Sequence, residues 1–356
     1  MPAPSWTNKI SNPAQIGGIE QAVLANGPGQ GTRIAWVNTG SGLRYKIVID
    51  RAMDIMDAFF NQHSLSWLSH TGITSPQPFS NRGIEWLKTF GGGLLTTCGL
   101  SHIGGPEPAG NGERGLHGEI SNTAAEIESV IQPDPAWGKL DMSITGRMKQ
   151  AQVLFSNLEL KRTISSRIGE ASIRIQDEVI NKGNTAAPHM LLYHCNFGWP
   201  LVDEGTDILY KGNWRPRFDD GRHKIFRAGN NFKKCPPPLD DHTGTGEEVA
   251  LIDIEADASG ECVCGLLNRA LSLALTLRFP KKQLPWLINW QHWGRGEYVT
   301  GLEPSTNTLD GQNKAREKKE LILLEPGETK TYDLKIDVLS SREAIEQLVK
   351  QTSGSE

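Results

Sequence analysis

The chain has 356 residues, 37 basic and 41 acidic side chains and a formal net charge of -4. That balance argues against nucleic acid, whose phosphates call for clustered positive charge. No apolar run approaches the roughly 18 residues needed to span a bilayer, so no membrane is expected as a partner.

Residues 1–18 have no apolar core flanked by positive charge, so no signal peptide is read there. The five cysteines are an odd number and are read as reduced thiols, which places the protein in the cytoplasm. Cys262 and Cys264 lie two apart on a predicted strand, too few ligands for a zinc site. The 38 glycines and 20 prolines imply many turns, as short-stranded β proteins require.

In chain order, an N-terminal arm of about 30 residues precedes predicted strands at Thr32–Val37 and Leu43–Ile49. A short helix is predicted at Ile84–Thr89 and a long loop at Gly104–Gly112. Further strands follow at Val153–Ile164, Ala171–Ile180 and Met190–His194, then a second long loop at Asn213–Asp241. The strongest period-two segment is Leu271–Phe279, where Leu271, Leu273, Leu275, Leu277 and Phe279 share one face. Tyr332, Leu334, Ile336 and Val338 repeat that pattern. The turn signals Asn181–Asn184, Asp310–Gly311 and Glu325–Glu328 separate strands, and Lys314–Lys319 reads as a solvated loop. A C-terminal helix spans Arg342–Gln351, capped by Ser341, with Ile345, Leu348 and Val349 on one stripe. The expectation is one continuous all-β domain over residues 1–356, a large antiparallel sandwich with a few short helices. Long loops on such a rigid sheet are expected to carry function.

The candidate functional residues are polar groups in apolar or glycine-rich surroundings. His194 ends the strand Met190–His194 and is followed by Cys195-Asn196-Phe197-Gly198-Trp199-Pro200. Read alone, it points either into a cleft or into the core. Glu303 follows an apolar stretch and precedes Pro304, a setting for a placed acid or base and equally for a strand end. His102 and His117 have glycine neighbours that allow a ligand to approach the backbone or that simply make tight turns. Arg51 lies between Asp50 and Asp54 and has an ion pair as its plain alternative. Trp286, Trp290 and Trp293 offer flat faces for a sugar ring or for core packing. Arg215 and Arg217 are further candidates to meet an anionic group. No P-loop and no Gly-x-Ser-x-Gly elbow occurs. His102, His117, His194 and Glu119 or Glu303 are residue types that bind metal, without the short spacing that makes a metal site specific.

Together these segments resemble the galactose mutarotase-like (aldose 1-epimerase) superfamily. His194-Cys-Asn196-Phe-Gly198 is similar to the strand end that holds that family's catalytic histidine, with Asn here ahead of Phe. Leu302-Glu303-Pro304 is similar to the segment of its catalytic glutamate, and Leu324–Glu328 to its closing turn. Arg51–Ile55, Phe90–Leu100, Leu116–Asn122 and Asn196–Gly205 resemble an aldose-epimerase-like bacterial branch of unknown function, over about residues 30 to 340. The resemblance implies a β supersandwich that binds a carbohydrate and interconverts its anomers without a cofactor. It implies Glu303 as base and His194 as acid, with Arg51, His117, His102, Asn196, Trp290 and Trp293 binding substrate. The family's further aspartate has only Asp240 and Asp241 at comparable positions. Two alternatives stand beside it: a metal-assisted isomerase, hydratase or lyase holding its ion on His102, His117 and His194, and a non-catalytic sugar-binding protein. Nothing in the sequence sets the oligomeric state.

Overall fold

The computed structural model describes residues 6–78, 81–110, 112–218 and 224–353. The predicted loops at 104–112 and 213–241 therefore lie partly outside the described residues. Two large antiparallel sheets stack against each other. The first has eight strands, running in space from Asp207–Tyr210 through Glu261–Asn268, Leu273–Pro280, Thr329–Leu339, Ser172–Asn181, Asn157–Arg167 and Asp141–Ala151 to Glu126–Ile131. The second has the order Gly212–Pro216, Glu248–Ile254, Trp286–Gly294, Glu297–Ser305, Ala187–Phe197 and Ile322–Leu324, with Thr96–Leu100 also paired to Ala187–Phe197. A five-stranded antiparallel sheet made from residues 18–64 completes the sandwich, so the N-terminal arm becomes a sheet edge strand at Gly18–Val23. The expected all-β architecture is what forms.

Alternation explains the stacking. Ile173, Ile175 and Val179 point inward from Ser172–Asn181 while Arg174, Gln176 and Glu178 are exposed. They meet Leu275, Leu277, Leu334 and Ile336 from their own sheet and Leu191, Tyr193, Cys195 and Phe197 from the other. The strand Ala187–Phe197 is different, because every residue from His189 onward is buried. Its second set, Met190 and Leu192, faces the outside of the sandwich and joins a smaller cluster with Trp86, Phe90, Cys98, Val249, Leu251 and Ile288. A strand covered on both sides loses the polar half of its alternation.

A buried charge network ties the layers together. Arg162 donates to Asp177 at 2.9 and 2.7 Å, to Asp54 at 3.2 Å, to Thr97 Oγ1 at 2.7 Å and to the Ala52 carbonyl at 3.0 Å. Tyr193 donates its hydroxyl to Asp177 at 2.7 Å. Burial, opposed by Arg162, pushes Asp54 up to about 6. The network joins the N-terminal sheet to both large sheets, and its charges are tolerated because each is paired.

The C-terminal helix, Arg342–Thr352, is capped by Ser341 Oγ, which accepts from the Ala344 amide. It seats Leu348 against Leu267 and Ala274. Several predicted boundaries shift. The helix expected at Ile84–Thr89 is a single 3-10 turn, Glu85–Lys88. Val153–Phe155 lie at the tip of a hairpin, with the strand starting at Asn157. The loop read at Lys314–Lys319 contains a short helix, Gly311–Glu317. All five cysteines are unpaired and buried. Among the described residues, no helix is long and apolar enough to cross a membrane.

Candidate active site

Strand register builds the site. Leu192 pairs with Ser305 and Cys195 with Leu302, which sets His194 and Glu303 side by side on neighbouring strands. Both point to the outer face of the second sheet, away from the inter-sheet core that Tyr193, Cys195 and Leu302 enter. His194 Nε2 lies 3.3 Å from Glu303 Oε1. The contact lacks hydrogen-bond alignment, and Glu303 Oε1, His194 Nδ1 and Asn196 Oδ1 are all buried without a hydrogen-bond partner. Buried polar atoms in native proteins are normally paired, so three orphans together mark a place built for something else.

Local packing sets the proton balance. His194 is ringed by Phe90, Trp290, His117 and Trp86, at centroid distances of 5.1, 5.5, 5.7 and 6.0 Å. Burial pulls its pKa from the usual 6.5 to about 4, with Asn196 opposing. Burial also pushes Glu303 well above the carboxylate range; Glu247 adds to this and Arg217 opposes it. Both shifts disfavour charge on the pair, so burial drives it toward an uncharged imidazole beside a neutral carboxyl. Gly301 makes the room, because a Cβ there would come within 2.5 Å of Glu303 Oε1.

His117 shares this setting. It has a positive φ of 57° and packs its ring 4.9 Å from that of Trp86. Burial, with the nearby His194 and Arg217, holds its pKa well below the usual value. Asn196 donates to the Gly93 and His194 carbonyls at 3.0 and 2.9 Å, beneath the pair. Trp290 donates its indole N–H to Glu247 at 2.7 Å. Trp290 and Phe90 also wall a cleft of about 400 Å³ together with Trp67, Leu87, Glu247 and His292. The cleft and the histidine thus share two aromatic walls. Neither His194 nor Glu303 lines this cleft directly, nor do they line the two cavities bordered in part by Asn81, Glu119 and Gln150.

Other expected residues go elsewhere. Trp293 is fully buried on the inner face, with its indole N–H donated to Gln291 and its ring 4.8 Å from Tyr298, so it offers no sugar platform. Arg51 does not face the pair. Its guanidinium is spent on the Ser121 carbonyl, on Thr74 Oγ1 at 2.6 Å and on the Thr89 carbonyl at 3.0 Å. It braces the segment that presents Trp86 and Phe90, and Trp86 itself donates to Ser121 Oγ at 3.0 Å. His102 lies in the next loop, its Nε2 held by the Gly105 carbonyl at 2.8 Å and its Nδ1 3.5 Å from Glu107. His102, His117 and His194 do not converge as ligands, and no group of three or more His, Cys, Asp or Glu side chains among the described residues is placed to hold a metal. Asp240 and Asp241 lie in a surface turn, paired with Arg295 and Lys224.

Sequence reasoning did not single out Trp67, Trp86, Phe90 and Glu247 as site residues. Phe90 and Trp86 sit beside the triple glycine Gly91–Gly93, where a Cβ on Gly92 would meet the Trp67 carbonyl at 2.6 Å. That close backbone packing was the available signal.

The family model described as "Domain of unknown function (DUF4432)" matches residues 29–338. The chain belongs to the DUF4432 family. Among curated proteins, none matches it. Solved structures share the fold of this DUF4432 chain. A candidate aldose 1-epimerase from Klebsiella pneumoniae aligns at a TM-score of 0.82 with 23% identity, covering 95% of this chain and 88% of that one. The Slr1438 protein from Synechocystis aligns at 0.63 with 14% identity, covering 86% and 95%. A galactose mutarotase-like protein from Clostridium acetobutylicum aligns at 0.60 with 11% identity, covering 92% and 100%. At these identities the likeness establishes the galactose mutarotase-like fold.

Proposed function

We propose that this DUF4432 protein interconverts the anomers of a sugar by general acid–base catalysis at His194 and Glu303. The observation that carries the reading is the 3.3 Å approach of these two groups on the outer face of the sheet, with orphaned polar atoms around them. Opening an aldose ring takes a proton from the anomeric hydroxyl and gives one to the ring oxygen. Those two oxygens are bonded to the same carbon, so one closely spaced donor–acceptor pair serves both. The direction of the two shifts favours the Glu303 carboxyl as the donor to the ring oxygen and neutral His194 as the acceptor from the hydroxyl. This exchanges the roles expected from the sequence. Transfer leaves a carboxylate beside an imidazolium, which stabilise each other in a site walled from water. The carbonyl then rotates, and the return transfers close the ring on its other face. Trp290, Trp67 and Phe90 supply flat apolar surface suited to the C–H face of a sugar.

The test is exchange spectroscopy by NMR on a panel of aldoses, with wild type, His194→Asn and Glu303→Gln. Each variant should lose about 10²–10⁴-fold in exchange rate while keeping its thermal unfolding midpoint. Wild-type exchange in either variant removes that residue from the mechanism. Saturable sugar binding with no acceleration of exchange by wild type replaces the enzyme with a binding protein.

A further inference from the structure

The edge of the second sheet brings a cation to the same outer face. Trp214 and Pro216 pair with Ile252 and Ala250, which face the inter-sheet core, so Arg215 and Arg217 project outward with Leu251 and Val249. The Arg217 amide donates to the Val249 carbonyl at 2.9 Å, and Val249 pairs with Trp290, which pairs with Gly301. Arg217 therefore stands in one cross-strand row with the aromatic wall and the glycine that makes room for Glu303. Its charge acts on both Glu303 and His117.

This guanidinium is half-buried. Among the described residues no carboxylate lies within 4.0 Å of it, and its side chain reaches only the Leu309 carbonyl, at 3.4 Å, and the face of Phe218, at 4.9 Å. Of the acids in its neighbourhood, Glu303 belongs to the catalytic pair and the other two are engaged elsewhere. Glu247 accepts from Trp290, and Asp310 accepts from Lys318 at 2.9 Å and Thr308 at 3.0 Å. Arg215, by contrast, is exposed and lies 3.9 Å from Asp310. A partly desolvated guanidinium with open donors is costly unless a partner arrives, and its fork matches phosphate and carboxylate. Gly105 leaves the approach open, since a Cβ there would meet nothing nearer than Arg217 Nη2 at 3.9 Å.

We infer that Arg217 anchors an anionic group on the substrate, so that the sugar handled beside His194 and Glu303 carries a phosphate or a carboxylate. This rests on the anomer-exchange reading of the site and adds the substrate class to it.

The experiment compares neutral aldohexoses, their 6-phosphates and the corresponding uronic acids by exchange spectroscopy, with wild type, Arg217→Gln and Arg217→Lys. Wild type should favour one charged series over the neutral parent by about ten- to a hundredfold in kcat/KM. Arg217→Gln should bring that ratio close to one at an unchanged unfolding midpoint, and Arg217→Lys should retain part of it. Preference for the phosphates or for the uronic acids identifies the anion. Equal rates on charged and neutral sugars by wild type, or an unchanged ratio in Arg217→Gln, overturn the inference and leave the exchange reading intact. Inorganic phosphate provides a separate readout. If no sugar exchanges but phosphate raises the midpoint of wild type and not of Arg217→Gln, the anion site stands and the exchange reading falls. If phosphate shifts neither protein and no sugar exchanges, both fall.

Discussion

Trp290 and Trp293, three residues apart on one strand, face opposite sides of the second sheet. Trp290 edges against His194 at 5.5 Å and walls the outer cleft, whereas Trp293 is fully buried against Tyr298. Their truncations should separate cleanly. Trp293→Ala opens a cavity between the sheets and should cost about 3–5 kcal/mol of stability. Trp290→Ala should leave the unfolding midpoint within a few degrees and raise KM for the sugar. Denaturant melts and steady-state exchange rates check the pair, and a raised KM from a folded Trp293→Phe would contradict the assignment of faces.

Gly301→Ala tests the space reserved for the carboxylate. The added methyl would sit 2.5 Å from Glu303 Oε1, the far end of a flexible side chain, so the protein accommodates it by moving that carboxyl. The expected outcome is a folded variant with exchange reduced by about 10²-fold, the usual consequence of misplacing a reacting group by an ångström. Full activity would mean that the position of this oxygen does not matter to turnover.

His189 predicts how stability depends on pH. It donates from Nδ1 to the Leu100 carbonyl at 2.8 Å and accepts at Nε2 from Tyr332 at 2.7 Å, so it is buried neutral. Burial pulls its pKa from 6.5 to about 4. Between those values the unfolded chain holds a proton that the folded chain lacks. Stability is therefore complete above about pH 6.5 and falls as pH drops toward 4, by about 1.4 kcal/mol per unit for this group. His194 adds a second such group, also near 4. Asp54 and Glu303, whose carboxyls burial raises, act in the opposite sense, so the readout is the difference between wild type and His189→Gln. In urea melts from pH 7 to pH 4.5 the variant's slope should be lower by one proton, and an unchanged slope would show that this imidazole is not held neutral.

Arg162 is the keystone of the interior. Replacing it with Ala strands Asp54 and Asp177 without their partner and should cost about 3–5 kcal/mol. Arg162→Met paired with Asp177→Leu, which removes both charges of the main pair, should recover a good part of that loss. A double variant as unstable as Arg162→Ala would assign the cost to packing alone.

The alternation of Leu271–Phe279 and Tyr332–Val338 was readable because one face of each carries small or polar side chains, and they occur as Leu273–Pro280, whose small-residue face packs in part on Leu348, and Thr329–Leu339. The strand carrying His194 is apolar on both sides, so its period gives no face: the residue pattern left cleft and core open for the histidine, and the motif resemblance favoured the cleft. Trp290 and Trp293 failed to separate for the same reason, since both sides of that strand are covered. Arg217 was legible as a cation able to meet an anion, but not as a neighbour of the His194–Glu303 pair. It follows the edge strand Gly212–Pro216, which proline and charge interrupt and which reads as loop. Arg51 was misplaced because an arginine bonded to backbone carbonyls leaves no sequence trace of its partners.

The proximity of His194 and Glu303 comes from pairing between two strands far apart in the sequence, with no local turn to enforce it. The pair cannot assemble in any fragment or collapsed intermediate that lacks this sheet. Catalytic competence should thus emerge late in refolding, after most fluorescence and far-ultraviolet signal has returned, making regained turnover a clock for the closing of this long-range strand pair.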